Sequence, residues 1–332
     1  MSEVAGALFT APEMVEIWSG EAHVRGMLAF EAALAQAEAR AGIIPTVAAE
    51  AIERACRIED FDVPAIWREA ALAGTPAIPL VRMLTERVAE DWRGYVHWGA
   101  TSQDSIDTAL VLQMQAGLGL LTERLREIGE ACAQMAERHR ATPMAGRTLL
   151  QHAIPIPFGL KAARWLALIT RQRARLWEVR TRVSVVQLGG AAGTLAALGV
   201  AGPRVTEMLA EKLGLAVPDL PWHAERDRVA EVAAALGVVA GSMAKIAGDV
   251  VLLAQTEVNE VAEGAAPGKG VSSAMPQKRN PVDATLARAS ARLALGVVPV
   301  LLAAMEQEHE RSAGSWQAEW EALPALFGYT SG

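Results

Sequence analysis

Two short stretches of this chain bring together residue types that bind anions and move protons. The richer is Gly268-Lys-Gly-Val-Ser-Ser-Ala-Met-Pro-Gln-Lys-Arg-Asn-Pro281. Gly268 and Gly270 free the backbone for the turns a loop needs to close over a ligand. Ser272 and Ser273 supply hydroxyls, Lys278 and Arg279 supply positive charge, and Asn280-Pro281 reads as the N-cap and first turn of a new helix. An anionic substrate would there meet cations, hydroxyls and a helix N-terminus together. The plain alternative is a solvated, mobile Gly-Lys loop. The second stretch is His97-Trp-Gly-Ala-Thr-Ser-Gln-Asp104, in which Thr101 and Asp104 have the spacing of a capping-box variant. Hydroxyls and free N–H groups at such a helix start bind a carboxylate, with His97 beside them as donor or proton carrier. A lone histidine before a cap is otherwise structural.

These stretches need a frame, and the rest of the chain predicts long helices. Apolar residues make up 52% of the 332 positions and aromatic residues 5%, with Ala and Leu dominant. That composition forms helices and is poor in the β-branched and aromatic runs of strands. From Asp104 to Arg140 there is no proline, and Leu110, Met114, Leu118, Leu121, Leu125, Ile128, Cys132 and Met135 step by three or four. Residues 157–187 repeat the pattern. Residues 225–262 sharpen it with Val229, Val232, Leu236, Val239, Met243, Ile246, Val250 and Leu253, and a fourth helix is expected from Pro281 past Val300. Sustained spacing of this kind is the seam of a bundle of rods, each roughly 50 Å long. Before residue 97 the pattern is shorter: His23–Arg40, 47–57, 64–73 and 77–91, broken at Pro45, Pro64, Pro76 and Pro79. The expectation is an all-α protein with a small N-terminal helical domain over 1–96, a central long-helix bundle over 97–325 and a tail over 326–332. Gly189-Gly190-Ala-Ala-Gly193-Thr lacks both the spacing and the preceding strand of a nucleotide loop. Residues 214–224 read as a plain surface connection.

The formal net charge of −7 argues against nucleic acid as a partner, because phosphate binding wants a basic surface. Cys56 and Cys132 make no metal spacing and read as buried thiols. The first twenty residues mix Glu3, Glu13 and Glu16 with apolar residues and lack a basic leader, and no uncharged apolar run reaches the length of a membrane span. A cytoplasmic protein without membrane contact is expected.

The run SSAMPQKRNP resembles the signature loop of the fumarase/aspartase superfamily, and three motif regions stand in that family's order. The form HWGATSQD is most similar to the bacterial 3-carboxy-cis,cis-muconate cycloisomerase branch, and Gly189–Thr194 resembles the family's turn in mid-bundle. Gly146-Arg-Thr-Leu-Leu-Gln-His-Ala-Ile-Pro155 is similar to the second region, in which Thr148 and Gln151 bind substrate carboxylate. Most lyases of the superfamily carry a histidine after that threonine and a glutamate seven positions after the signature lysine. Here these positions hold Leu149 and Thr285, and His152 is displaced. Losing both halves of one charge pair is what a changed mechanism produces, and the cycloisomerase branch lacks the pair. An adenylosuccinate-type C–N lyase should carry it, and an inactive scaffold homologue would not need Ser272, Lys278 and Asn280 together.

The resemblance implies closure of 3-carboxy-cis,cis-muconate to 4-carboxymuconolactone through an aci-carboxylate, with no metal or organic cofactor. A 3-sulfomuconate substrate would have similar charge. Ser272, which aligns with the family's loop serine, is the proton-transfer candidate. Lys278 and Asn280 stabilise the intermediate, and His97 is a further catalytic candidate. Thr101, Ser102, Thr148, Gln151, Ser273, Met275, Arg279 and Asn280 hold the tricarboxylate, and so does Arg311 if the tail His309–Trp320 is more than a solvated amphipathic helix. Because the first and second regions head successive antiparallel rods, one subunit cannot bring them together. If all three motifs serve one site, that site must be shared between subunits, as in the homotetramer that the resemblance implies; motifs that act independently would remove the argument. The family's small third helical domain is expected to be largely missing from this chain.

Overall fold

The computed structural model describes residue 6 and residues 8–332; Glu3, used in the leader argument, lies outside them. Helices dominate, as the composition requires. Among the described residues the N-terminal part holds α1 (Pro12–Ile17), α2 (Gly20–Arg40), α3 (Thr46–Ala55), α4 (Val63–Ala73) and α5 (Ala77–Arg87). Their starts follow from local chemistry. Ser19 Oγ accepts the Ala22 N–H at 3.0 Å, and Asp62 Oδ1 accepts that of Ala65 at 2.9 Å, which satisfies donors the first turn would leave free. The long elements are α6 (Ser102–Arg138), α7 (Phe158–Val183), α9 (Asp227–Leu253) and α10 (Val282–Ala303). They are joined by α8 (Gly202–Leu213) and followed by α11 (Ser315–Ser331).

The seam positions read from the sequence form the core: Leu110, Met114, Leu118, Leu121 and Leu125 of α6 meet Ile169, Leu176 and Val179 of α7 and Val229, Val232, Leu236 and Val239 of α9. Phe30 and Leu34 of α2 enter the same cluster, so the N-terminal helices and the bundle share one apolar interior. Toward the far end the packing opens. Met243, Ile246 and Val250 are only half-buried, and with Leu121, Leu125 and Ile128 they line an apolar cleft of about 440 Å³. α9 and α10 are long and apolar enough to cross a membrane by length and composition, but α9 packs its buried face into this core.

Six details differ from the sequence reading. The link between α6 and α7 is a two-stranded hairpin, β1 (Pro143–Thr148) and β2 (Gln151–Pro157), which separates the second motif from the helix it was expected to cap. α9 stops at Leu253 rather than near 262, and α5 at Arg87 rather than 91. α10 starts at Val282, capped not by Asn280 but by Glu263, whose oxygens accept the Asp283 and Ala284 N–H groups at 3.2 and 2.8 Å. Residues 309–314 are turns, so the tail helix begins only at Ser315. Finally, 214–224 is not a plain surface segment: Trp222 is 1% exposed and His223 is 3% exposed. The Trp222 backbone N–H and Nε1 donate to Gln187 Oε1 and the Val186 carbonyl at 3.0 Å each, and His223 Nε2 lies 2.7 Å from Asp104 Oδ1, which offsets the burial of those groups.

Candidate functional site

The first motif is held by a buried carboxylate. Thr101 is the N-cap of α6, and its own N–H donates to Asp104 Oδ2 at 2.9 Å. Asp104, fully buried, also accepts the N–H groups of Gly189 and Gly190 at 2.9 and 3.0 Å, and its Oδ1 lies 2.7 Å from His223 Nε2. One side chain therefore fastens the helix start, the Gly189–Gly190 turn and the 214–226 connector. Gly190 has φ +69° and sits against the Gly99 carbonyl, where a Cβ would come within 2.8 Å, so no other residue fits the turn.

Behind this cap lies a closed ion network. Arg226 donates to both oxygens of Asp107 at 2.7 and 3.1 Å and to both of Glu319 at 3.0 and 2.6 Å. Trp316 Nε1 adds a bond to Asp107 Oδ1 at 3.0 Å, and the Trp222 ring covers the guanidinium at 4.9 Å. Burial pushes the Glu319 carboxyl up, and the Arg226 charge opposes that push. Gln103 joins the network to the surface: its Nε2 donates to Asp107 and to the His223 carbonyl at 3.1 and 2.8 Å, and its Oε1 accepts from Arg311 Nε at 3.1 Å. Arg311 Nη2 donates to the Ala191 carbonyl at 3.1 Å. Arg311 thus stands beside the first motif, where Thr101 and Ser102 are half-buried.

His97 leads into this motif with φ +56° and holds Glu31 Oε1 from Nδ1 at 2.6 Å. Burial lowers its pKa, but the charge and hydrogen bond of Glu31 outweigh that and leave it raised. The ring also borders a cleft of about 430 Å³ shared with Ser102, Ile78 and Thr85. A carboxylate-oriented imidazole at a cleft edge is suited to donating a proton or a hydrogen bond.

The signature loop is built on a short stem. Asn280 N donates to the Gly270 carbonyl at 2.9 Å, its Nδ2 to the same oxygen at 3.3 Å, and Val271 bridges Arg279. Gly270, φ +66°, lies where a Cβ would meet the Asn280 carbonyl at 2.6 Å. Lys269 pairs with Asp283 and lies 3.8 Å from Glu263, which anchors the stem to the start of α10. Ser272 Oγ accepts N–H groups from Met275 and Ala274 at 3.1 and 3.4 Å, donors that favour a more anionic oxygen. Ser273, Met275, Lys278 and Arg279 are exposed, and the Lys278 and Arg279 side chains have no ion pair among the described residues.

The hairpin carries Thr148 and Gln151, paired across its tip and both exposed. Its two tip residues, Leu149 and Leu150, have φ +51° and +63° and are 96% and 71% exposed. Arg147 makes a two-pronged bond to Glu260 at 2.8 and 2.9 Å, which ties the hairpin to the segment leading into the signature loop. Thr285, at the other position where most superfamily lyases carry charge, bonds back to the Pro281 carbonyl at 2.7 Å.

The structure therefore sorts the predicted residues into two groups. His97, Thr101, Ser102 and Arg311 gather at the start of α6. Thr148 and Gln151 lie past its other end, on the far side of a helix of 37 residues, or about 55 Å, while the stem of the signature loop, with Glu263 and Lys269, borders the far half of the helix at Leu121, Arg124, Leu125 and Ile128, roughly 30–40 Å from its start. Sequence reasoning missed Gln103, Asp107, His223, Arg226 and Glu319 as parts of the first group. A cluster of Trp222, His223 and Arg226 directly before a rod was the available signal. Nothing local marked Arg147 and Glu260 as a pair.

Comparison with known proteins shows the family and the fold. A family model described as lyase matches residues 7–296. The 3-carboxy-cis,cis-muconate cycloisomerase of Pseudomonas aeruginosa is 52% identical over 98% of this chain and 72% of its own length. That of Pseudomonas putida is 50% identical over 100% of this chain and 79% of its length. The crystal structure of the 3-carboxy-cis,cis-muconate lactonizing enzyme from Pseudomonas putida superposes with a TM-score of 0.93 at 47% identity, covering 99% of this chain and 74% of that one. With most of the sequence matched and the long-helix bundle shared, the chain belongs to this lyase family, within the fumarase/aspartase superfamily.

Proposed function

We propose that this chain is a 3-carboxy-cis,cis-muconate cycloisomerase of aromatic breakdown, working without a metal or organic cofactor. The observation that carries the reading is the pair Leu149 and Thr285. Where most lyases of the superfamily have an acid–base histidine and its glutamate, this chain has an exposed apolar tip and a threonine bonded to its own backbone. Proton transfer must then rest on other groups, while the anion-binding residues remain.

In the proposed reaction a carboxylate oxygen of the substrate adds to the conjugated diene. The new C–O bond closes the lactone, electrons move to the adjacent carboxyl to form the aci-carboxylate, and one proton is delivered to the carbon α to it. Atoms balance without a leaving group. Lys278 and Asn280 stabilise the doubly charged carboxyl, the kind of preorganised electrostatic help that usually dominates such steps. Ser272 moves the proton, its oxygen made more acidic by the Ala274 and Met275 N–H groups. Thr101, Ser102 and Arg311 hold carboxylates at the start of α6; Thr148 and Gln151 on the hairpin, and Ser273, Met275 and Arg279 on the signature loop, hold them elsewhere.

The separation of the first motif from the signature loop and from the hairpin, roughly 30–55 Å along α6, supports a site assembled from several copies, a tetramer in the reading favoured here. Exposed apolar residues on α9 and α10, among them Val238, Leu252, Leu293, Leu295 and Val300, support packing of bundle on bundle.

Mixing the protein with 3-carboxy-cis,cis-muconate and following the ultraviolet band of the conjugated diene tests the reading. Loss of the band with the native chain, and none with Lys278→Ala, is expected. A band that persists with a protein shown by light scattering to be a tetramer would refute it.

A further inference from the structure

Gln103 lies inside the first motif, yet as a neutral, fully buried residue it takes no part in the chemistry above. We infer that Gln103 is a positioning residue: together with the Ala191 carbonyl it fixes the Arg311 guanidinium as a preset fork for a substrate carboxylate. The inference rests on the proposed role of Arg311 in substrate binding.

The geometry leaves the Gln103 amide one orientation. Its nitrogen faces two acceptors, Asp107 Oδ2 at 3.1 Å and the His223 carbonyl at 2.8 Å, so its oxygen must face the third partner, Arg311 Nε, at 3.1 Å. A flipped amide would place its oxygen against two acceptors and its nitrogen against a donor. Asp107 is itself held by both Arg226 and Trp316, so the anchor does not move. From the opposite side the Ala191 carbonyl, on the turn fastened by Asp104, takes one Nη2 hydrogen of Arg311 at 3.1 Å. Both Nη1 hydrogens remain available on an exposed group, and neither of the two holding partners carries charge to cancel that of the arginine.

That combination is the functional content. A carboxylate partner would hold Arg311 as firmly but neutralise it, whereas an amide and a carbonyl orient it and leave its charge for the ligand. Long arginine side chains lose rotamer freedom on binding, and prior fixation removes that cost from the binding step. The device acts on substrate affinity and not on bond making. Lysine cannot replace this arginine, since it has no fork to satisfy two holders and a ligand at once.

The test uses the full chain and a non-reacting tricarboxylate, tricarballylate, alongside turnover of 3-carboxy-cis,cis-muconate. Arg311→Lys, an exposed change that leaves the fold intact, is expected to weaken tricarballylate binding and raise KM about tenfold, the loss of one charge-assisted bond, with kcat held within about twofold. Gln103→Met is expected to do the same, and to add at most about twofold in an Arg311→Met background, because the two residues act as one unit. Unchanged affinity in Arg311→Lys, or full additivity of the double variant, overturns the inference. Tricarballylate binding with this coupling, but no turnover by the native chain, would retain the positioning role and remove the proposed reaction instead. If Gln103→Met does not fold, Arg311→Lys alone decides.

Discussion

The two ends of α6 are built in opposite ways. At its start, every buried carboxylate of the Asp104, Asp107 and Glu319 set is matched to a donor, and the network reaches through four segments of chain. Along its far half and past its end, Lys278 and Arg279 stand exposed, two leucines sit in left-handed backbone at a hairpin tip, and the apolar seam of α9 is only half-covered. The first end is finished within one chain. The second leaves cations and apolar surface exposed, as the proposed shared site requires. Precision at one end and availability at the other suit a site in which a fixed anion cradle receives a loop that brings the reacting groups.

The sharpest way to break this contrast is to exchange the expected sensitivities. Asp107→Ala strips Arg226 of one of its two partners inside the fold and should cost about 3–5 kcal/mol of stability, read by urea unfolding. Lys278→Ala should leave that unfolding curve unmoved while lowering kcat about a hundred- to a thousandfold, the scale of one lost stabilising donor. If the lysine variant unfolds early, the far end is structural after all.

A buried carboxyl without partners sharpens the comparison from the other side. Glu38 is fully buried, neither of its oxygens has a hydrogen-bond partner among the described residues, and burial first, then the Glu31 charge, push its pKa from 4.5 to about 9. The unfolded chain releases that proton at lower pH than the folded one, so stability falls as pH rises from about 4.5 toward about 9. Glu38→Gln should remove this slope, a difference of about 1.4 kcal/mol for each pH unit in that window, measured as Tm against pH.

The hairpin tip predicts a smaller effect with a split sign. Replacing Leu149 and Leu150 by Asn and Gly, which accept positive φ, should raise stability by about 1–2 kcal/mol. Turnover should fall in the same variant if the apolar tip shields the reacting groups from water. A gain in both would mean that the strain has no use. Least of all, Arg147→Ala should cost about 0.5–1 kcal/mol, since its bond to Glu260 is partly exposed, and should show more in kcat than in Tm by loosening hairpin and loop together.

Much of the frame was legible in the chain itself. The three-four spacing of Leu110 to Leu125 and of Val229 to Val239 specified rods and their inward faces, because burial of one stripe is what such spacing does. The β-hairpin was not legible: Gly146 to Pro155 has no strand alternation, and its pairing depends on a bulge and on two leucines in a conformation their side chains disfavour. Asn280 looked like a cap, but a distant glutamate took that role once the loop stem pulled Asn280 onto Gly270.

What the sequence determined by itself was the helical bundle, the three motif regions, and the absence of the histidine–glutamate pair, since residue type and short-range spacing suffice for each. What only the tertiary structure decided was which of those residues meet. Gln103 and Arg311 are brought together across 208 positions, Arg226 and Asp107 across 119, and Arg147 and Glu260 across 113. No local pattern encodes such pairings, because they come from how rods of fixed length turn back on one another and which ends they then share.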